Sequence, residues 1–238
     1  LVAEDDGGVR VGLVANLELE GYEVIEAQDG SRALELLDEQ RFDLVLSDVV
    51  MPKANGVEVL RGLRARWPET PLVLISAFVS ESLIAAAVSE GLYAMLYKPV
   101  GMQTVLRTVG RALARRPLLL VDDAQEYATS LAANLRALGM FVETAFDGDS
   151  ALATAERQGV DACILDLMLP PAGGIELCRQ LRQKDPQMDI IGITGASDPN
   201  LLRNIAREGV NTCLRKPFDV NSLLTALVKA RSSGGAAC

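Results

Sequence analysis

The chain has 238 residues, half of them apolar, enough to bury a core in one large domain or in two of ordinary size. Its net charge of −9 divides into about −5 before Pro117 and −4 from it onward, with no basic face, which argues against nucleic acid as a direct ligand. There is no histidine, which excludes Ser-His-Asp and Cys-His catalysis, histidine-ligated zinc and an internal phosphohistidine donor; no apolar run reaches the ~18–20 residues of a membrane span and no signal peptide is recognisable, so a cytoplasmic location is expected.

From the N-terminus, short apolar runs alternate with amphipathic stretches. Runs at 1–4, 22–26, 43–47, 72–76 and 93–97 read as strands, with helices such as "SRALELLDEQ" and "GVEVLRGLRARW" between them. A last helix over roughly 101–115 runs into Arg115, Arg116 and Pro117, where proline stops it. The alternation then begins again at Leu118, and "DPNLLRNIAREG" in this second pass has Asp198 as a helix cap and Pro199 in the first turn. Five strands alternating with five helices, twice, predict two parallel sheets, each covered on both faces. The expected domains are 1–116 and 117–231, followed by a flexible tail at 232–238, and so short a seam is expected to restrict their relative orientation.

The two passes are copies of one unit. "FDLVLSDVVMP" falls on "VDACILDLMLP", "PLVLISA" on "DIIGITG" and "GLYAMLYKP" on "GVNTCLRKP". Asp48 and Asp166, Gly56 and Gly174, Ser76 and Thr194, and Lys98 and Lys216 match at an offset of 118. The acid pairs Asp5–Asp6 and Asp122–Asp123 match at 117, which implies one residue added in the first helix of the second copy. A period this long means duplicated domains rather than a solenoid. Cys163, Cys178, Cys213 and Cys238 lack metal-ligand spacing and read as packing thiols.

In a doubly wound sheet, ligands bind beyond the carboxyl ends of the strands. The recurring polar residues fall there: the acid pair after strand one, Asp48 or Asp166 after strand three, Ser76 or Thr194 after strand four, Lys98 or Lys216 after strand five. Three carboxylates ~4 Å apart would repel by roughly 4 kcal/mol per pair at an effective dielectric of 20, so a cation must offset them. A hard divalent ion such as Mg²⁺, or Mn²⁺, suits carboxylate oxygens, and the lysine adds a second positive charge. One carboxylate is then left to act as a nucleophile toward phosphorus. The Ser76 or Thr194 hydroxyl is placed to hydrogen-bond a phosphoryl oxygen, with the small Ala77 or Gly195 beside it leaving room.

On these residues each half resembles a response-regulator receiver domain, the phosphoacceptor module of two-component signalling. The resemblance implies a flavodoxin-like (βα)5 fold of strand order 2-1-3-4-5 in each half, with Asp48 and Asp166 as phosphorylation sites. It implies that Asp6 and Asp123 bind Mg²⁺ directly, that Asp5 and Asp122 hold it mainly through water, and that the carbonyls of Val50 and Met168 complete the ligands. Lys98 and Lys216 would pair with the phosphoryl group, and Pro99 and Pro217 would follow cis peptide bonds. The implied donor is a sensor histidine kinase or a histidine phosphotransfer protein. The face formed by the fourth helix, fifth strand and fifth helix would switch and mediate pairing, between halves or in a homodimer. The chain is thus read as a phosphoacceptor that at most dephosphorylates itself, not an enzyme, and as a regulator or a fragment of one whose output domain lies elsewhere. Two rivals are a docking module with an unphosphorylated receiver and an aspartate-dependent phosphohydrolase. The latter places its nucleophile in a DxD-type motif after strand one, which is absent here.

The sequence departs from the family where an aromatic residue usually stands three positions before the lysine, here Met95 and Cys213. Tyr97, two positions on and on the same side of the strand as Met95, is a candidate substitute in the first copy. Flanking residues differ too, Val50 with Phe78 against Met168 with Ala196, and slower hydrolysis is expected at Asp48 than at Asp166.

Overall fold

A computed structural model describes residues 1–77, 80–170, 173–195 and 208–233. The chain divides into two compact units, Leu1–Ala114 and Arg115–Cys238. In the first, strands β1 (Val2–Ala3), β2 (Glu26–Ala27), β3 (Val45–Asp48), β4 (Leu72–Ser76) and β5 (Ala94–Tyr97) alternate with helices α1 (Gly7–Leu19), α2 (Gly30–Glu39), α3 (Gly56–Arg66), α4 (Glu81–Ser89) and α5 (Met102–Leu113). The second contains β6 (Leu118–Val121), α6 (Gln125–Ala137), β7 (Val142–Ala145), α7 (Gly148–Gln158), β8 (Ala162–Asp166), α8 (Gly174–Lys184), β9 (Asp189–Thr194), β10 (Thr212–Arg215) and a final helix, α9 (Val220–Ser233). The helix expected at "DPNLLRNIAREG" begins outside the described residues.

Both sheets are parallel, in the orders β2-β1-β3-β4-β5 and β7-β6-β8-β9-β10, the doubly wound arrangement expected. The central strands carry continuous apolar runs because both faces are covered. In the first unit Val2, Leu46, Val73, Ile75 and Leu96 pack on Leu13, Leu17, Val105 and Val109 from α1 and α5. In the second, Leu119, Val121, Cys163 and Leu165 pack with Leu177, Cys178 and Leu181 of α8. The described cysteines, Cys163, Cys178 and Cys213, are free thiols; burial pushes the Cys178 thiol up to about 11 and raises the other two as well.

Three elements differ from the sequence reading. The strand expected at 22–26 forms at Glu26–Ala27. The chain is still closing α1 at Tyr22, whose N–H donates to Leu17, and the ladder starts only where Val2 N–H meets the Ile25 carbonyl. The first helices α1 and α6 are both 13 residues long and lie 118 residues apart, so no residue has been added in the second copy. The last helix continues through Ser233, into the first two residues of the tail expected at 232–238, while 234–238 lie outside the described residues. There Arg231 pairs with Asp161 at 2.6 Å, both buried, tying the end of α9 to the start of β8.

Candidate functional site

The acceptor candidates end the central strands β3 and β8. Asp48 and Asp166 are nearly buried, and in each the backbone N–H two residues on, of Val50 or Met168, donates to Oδ1 at 3.0 and 2.8 Å. That bond fixes the rotation of the carboxylate and turns Oδ2 toward the lysine. Gly56 and Gly174 open the following helices so close to the acceptor that an added Cβ would overlap the Asp48 or Asp166 carbonyl, which explains why both halves have glycine there.

Lys98 and Lys216 reach in from the ends of the edge strands. Lys98 Nζ pairs with Asp48 Oδ2 and, at 2.8 Å, with Glu4 Oε2. Lys216 Nζ pairs with Asp166 Oδ2 at 2.7 Å and Asp122 Oδ2 at 2.6 Å. Burial works against the charge on each ammonium, but the carboxylate hydrogen bonds outweigh it and hold both lysines above the ordinary range. The peptide bonds Lys98–Pro99 and Lys216–Pro217 are cis.

The acidic cluster corrects one assignment. In the second unit the grouped carboxylates are Asp122, Asp123 and Asp166; in the first they are Glu4, Asp5 and Asp48, not Asp6. Within each group the ligand oxygens lie within 4.8 Å of one another. Asp6 is exposed and caps α1, its Oδ1 accepting from Gly8 N–H at 2.8 Å and Val9 N–H at 3.0 Å, which also holds its carboxyl below the usual range. The first residue after the buried Val2–Ala3 pair points into the pocket, and that residue is Glu4. Burial raises the Glu4 pKa, against the opposing hydrogen bond from Lys98. The signal was present in the sequence: the 118 offset shared by every other site pair matches Glu4 to Asp122 and Asp5 to Asp123.

Ser76 and Thr194 end β4 and β9, buried, one residue past the partners of Asp48 and Asp166 in the ladder. Their carbonyls accept from the Lys98 and Lys216 N–H groups at 2.7 and 2.8 Å, which ties the hydroxyl strand to the lysine strand. Ala77 and Gly195 follow, exposed, and among the described residues no heavy atom lies within 4 Å of where a Cβ on Gly195 would stand. Met95 is fully buried, Cys213 is partly buried against the second core, and Tyr97 is half exposed beside Ser76 in the ladder. Val50 and Met168 are exposed, whereas Phe78 and Ala196 lie outside the described residues.

A donor set of three carboxylates against one ammonium leaves each pocket with excess negative charge and oxygen ligands only, which fits a hard divalent cation.

This pocket of strand-end acids and one lysine stands at the carboxyl ends of a parallel, doubly wound sheet and is built twice. The family model of the response regulator receiver domain matches residues 1–110 and again 118–228. The chain therefore belongs to the response regulator receiver family, as two receiver domains in tandem. A response regulator receiver protein of Anaeromyxobacter sp. (strain Fw109-5) is 30% identical over 238 residues, covering 99% of this chain and 96% of that protein. Response regulator MprA of Mycobacterium ulcerans (strain Agy99) is 37% identical over 126 residues, 53% of this chain and 54% of its own length. The chain thus spans about half the length of the MprA relatives it matches. A solved structure of a putative two-component system response regulator/GGDEF domain protein aligns over 97% of this chain and 96% of that one, at 25% identity and a TM-score of 0.57. Receiver domains of two-component systems are phosphoacceptors served by histidine kinases or phosphotransfer proteins and generally bind Mg²⁺ in an acidic pocket. Among the described residues no helix is long and apolar enough to cross a membrane.

Proposed function

We propose that both halves are working phosphoreceivers, accepting a phosphoryl group on Asp48 and Asp166 from a phosphohistidine on a separate kinase or phosphotransfer protein. The observation that carries this reading is the bridging lysine, which in each half pairs the strand-three carboxylate with an acid from strand one. A carboxylate oxygen of Asp48 or Asp166 forms the new P–O bond, the P–N bond of the donor breaks, and the imidazole leaves with its electron pair. The Val50 or Met168 N–H keeps the acceptor carboxylate in one orientation during attack. Lys98 or Lys216 transfers part of its ion pairing to the phosphoryl oxygens, and the Ser76 or Thr194 hydroxyl donates to one of them. Glu4, Asp5 and Asp48 would hold Mg²⁺ in the first domain and Asp122, Asp123 and Asp166 in the second, with the Val50 and Met168 carbonyls as further ligands. Bound there, the ion supplies positive charge for the transferred oxygens.

The added negative charge shifts the face made by the fourth helix, fifth strand and fifth helix, which signals to partners or pairs with another such face. Tyr97 stands on that face in the first domain. If it replaces the missing aromatic switch, Tyr97→Ala abolishes the phosphorylation-dependent change there; an unaltered change removes it from this role. The reading as a whole is tested by mass spectrometry after exposure to a small phosphodonor with MgCl₂. Two phosphoryl groups are expected on wild type and one on each of Asp48→Ala and Asp166→Ala. Unmodified wild type with steady turnover of p-nitrophenyl phosphate would support the phosphohydrolase instead.

A further inference from the structure

The two pockets differ in what touches the lysine. In the second domain the Lys216 ammonium lies 4.7 Å from the centroid of the Tyr127 ring, in addition to its bonds to Asp122 and Asp166. Tyr127 stands in the first turn of α6 and is about a third exposed, the rest of the side chain being covered. The equivalent residue on α1, 118 positions earlier, is Val9, which cannot offer a cation an aromatic face.

The three partners of Lys216 have different fates. Asp122 and Asp166 belong to the acidic group of the pocket, so whatever positive ligand that group takes competes with Lys216 for the same oxygens. The ring takes no part in that competition. An ammonium that gives up a carboxylate contact settles more fully on the ring face, and this gain over the present 4.7 Å contact is what lowers the cost of yielding the acids. We infer that Tyr127 is a positioning residue that holds Lys216 when its carboxylates turn to a divalent cation, so that the second pocket yields its acids more readily than a pocket with an aliphatic residue there. The inference rests on the receiver reading and adds to it a difference in cation affinity that depends on an aromatic ring.

The test uses the full ¹⁵N-labelled chain and adds MgCl₂ in steps. The Met168 N–H donates to Asp166 and reports the second pocket; the Val50 N–H donates to Asp48 and reports the first in the same sample. Tyr127→Leu is expected to raise the Mg²⁺ concentration at half-change of the Met168 resonance roughly two- to five-fold, the worth of a partly exposed cation–π contact. Tyr127→Phe, which keeps the ring and loses the hydroxyl, is expected to match wild type, and Val50 to respond alike in all three. A role in packing alone would appear as a lowered thermal midpoint with the Mg²⁺ half-point unmoved. The inference is overturned if Leu leaves the half-point unchanged, or if Phe shifts it as far as Leu. If neither Val50 nor Met168 responds to Mg²⁺ in wild type, the receiver reading itself fails.

Discussion

Replacing Glu4 by Gln tests whether the first pocket draws its acids from Glu4 and Asp5. At an effective dielectric of 20 and the 4.8 Å limit of the cluster, Glu4 repels each of the other two carboxylates by about 3.5 kcal/mol, while its pair with Lys98 at 2.8 Å contributes about 6 kcal/mol. Asp5 is exposed, which screens its share, so repulsion and attraction nearly cancel. The remaining contribution is the cost of burying the Glu4 charge, the same effect that raises its pKa. Lys98 keeps Asp48 after the substitution, so no buried charge is stranded. Glu4→Gln is therefore expected to stabilise the first domain by about 1 kcal/mol in EDTA and to gain less from MgCl₂ than wild type. Asp6→Ala is expected to lose about 1 kcal/mol of helix capping in both conditions and to keep the full Mg²⁺ gain. Urea unfolding followed by fluorescence isolates this domain, because Trp67 is the chain's one tryptophan. A Glu4→Gln chain less stable than wild type in EDTA, or one that gains as much from MgCl₂, would make Glu4 a structural partner of Lys98 only.

Three further outcomes are expected. Gly56→Ala drives a methyl into the Asp48 carbonyl and should cost about 1–3 kcal/mol in urea unfolding while lowering phosphorylation of Asp48; an unchanged midpoint would show that α3 can retreat without cost. Arg231→Met removes the guanidinium whose Nε and Nη2 both donate to the buried Asp161 carboxylate and should destabilise the second domain by up to about 3–5 kcal/mol, with Asp161→Asn in the same chain recovering part of the loss; equal single and double variants in circular-dichroism melts would refute the coupling. Lys53 and then the Arg32 N–H hold the Asp29 carboxyl below its ordinary range, so its stabilisation is complete above about pH 4 and disappears as pH falls through the depressed folded value. Asp29→Asn keeps an oxygen to cap α2 and should flatten the acid limb of Trp67-detected stability; a limb as steep as in wild type would exclude Asp29 as a contributor.

The strands and their order were legible because the buried runs are unbroken and the unit occurs twice. The strand-end positions of Asp48, Asp166 and the two lysines were legible because each ends such a run. The acid pair was displaced by one residue because "EDD" offers two neighbouring pairs, and letter identity favoured the wrong one. Backbone register decides between them: the residue after Ala3 faces inward, and the third acid is used as a helix cap. The second strand was displaced because Tyr22 and Val24, though apolar, serve the end of α1 and the core rather than the ladder. The Tyr127–Lys216 contact was not legible, since nothing in the sequence places a first-turn tyrosine over a lysine 89 positions away.

The bridging lysine also sets when each pocket can form. Lys98 meets an acid 94 residues before it and another 50 before it, and Lys216 repeats both separations. These closures are among the longest within each domain, so they come late by loop entropy and later still during synthesis from the N-terminus. Until the final strand is made, the nascent domain carries its strand-end acids without the ammonium that offsets them. A chain cut short before Lys98 would thus lose the charge balance at the centre of its sheet as well as an edge strand.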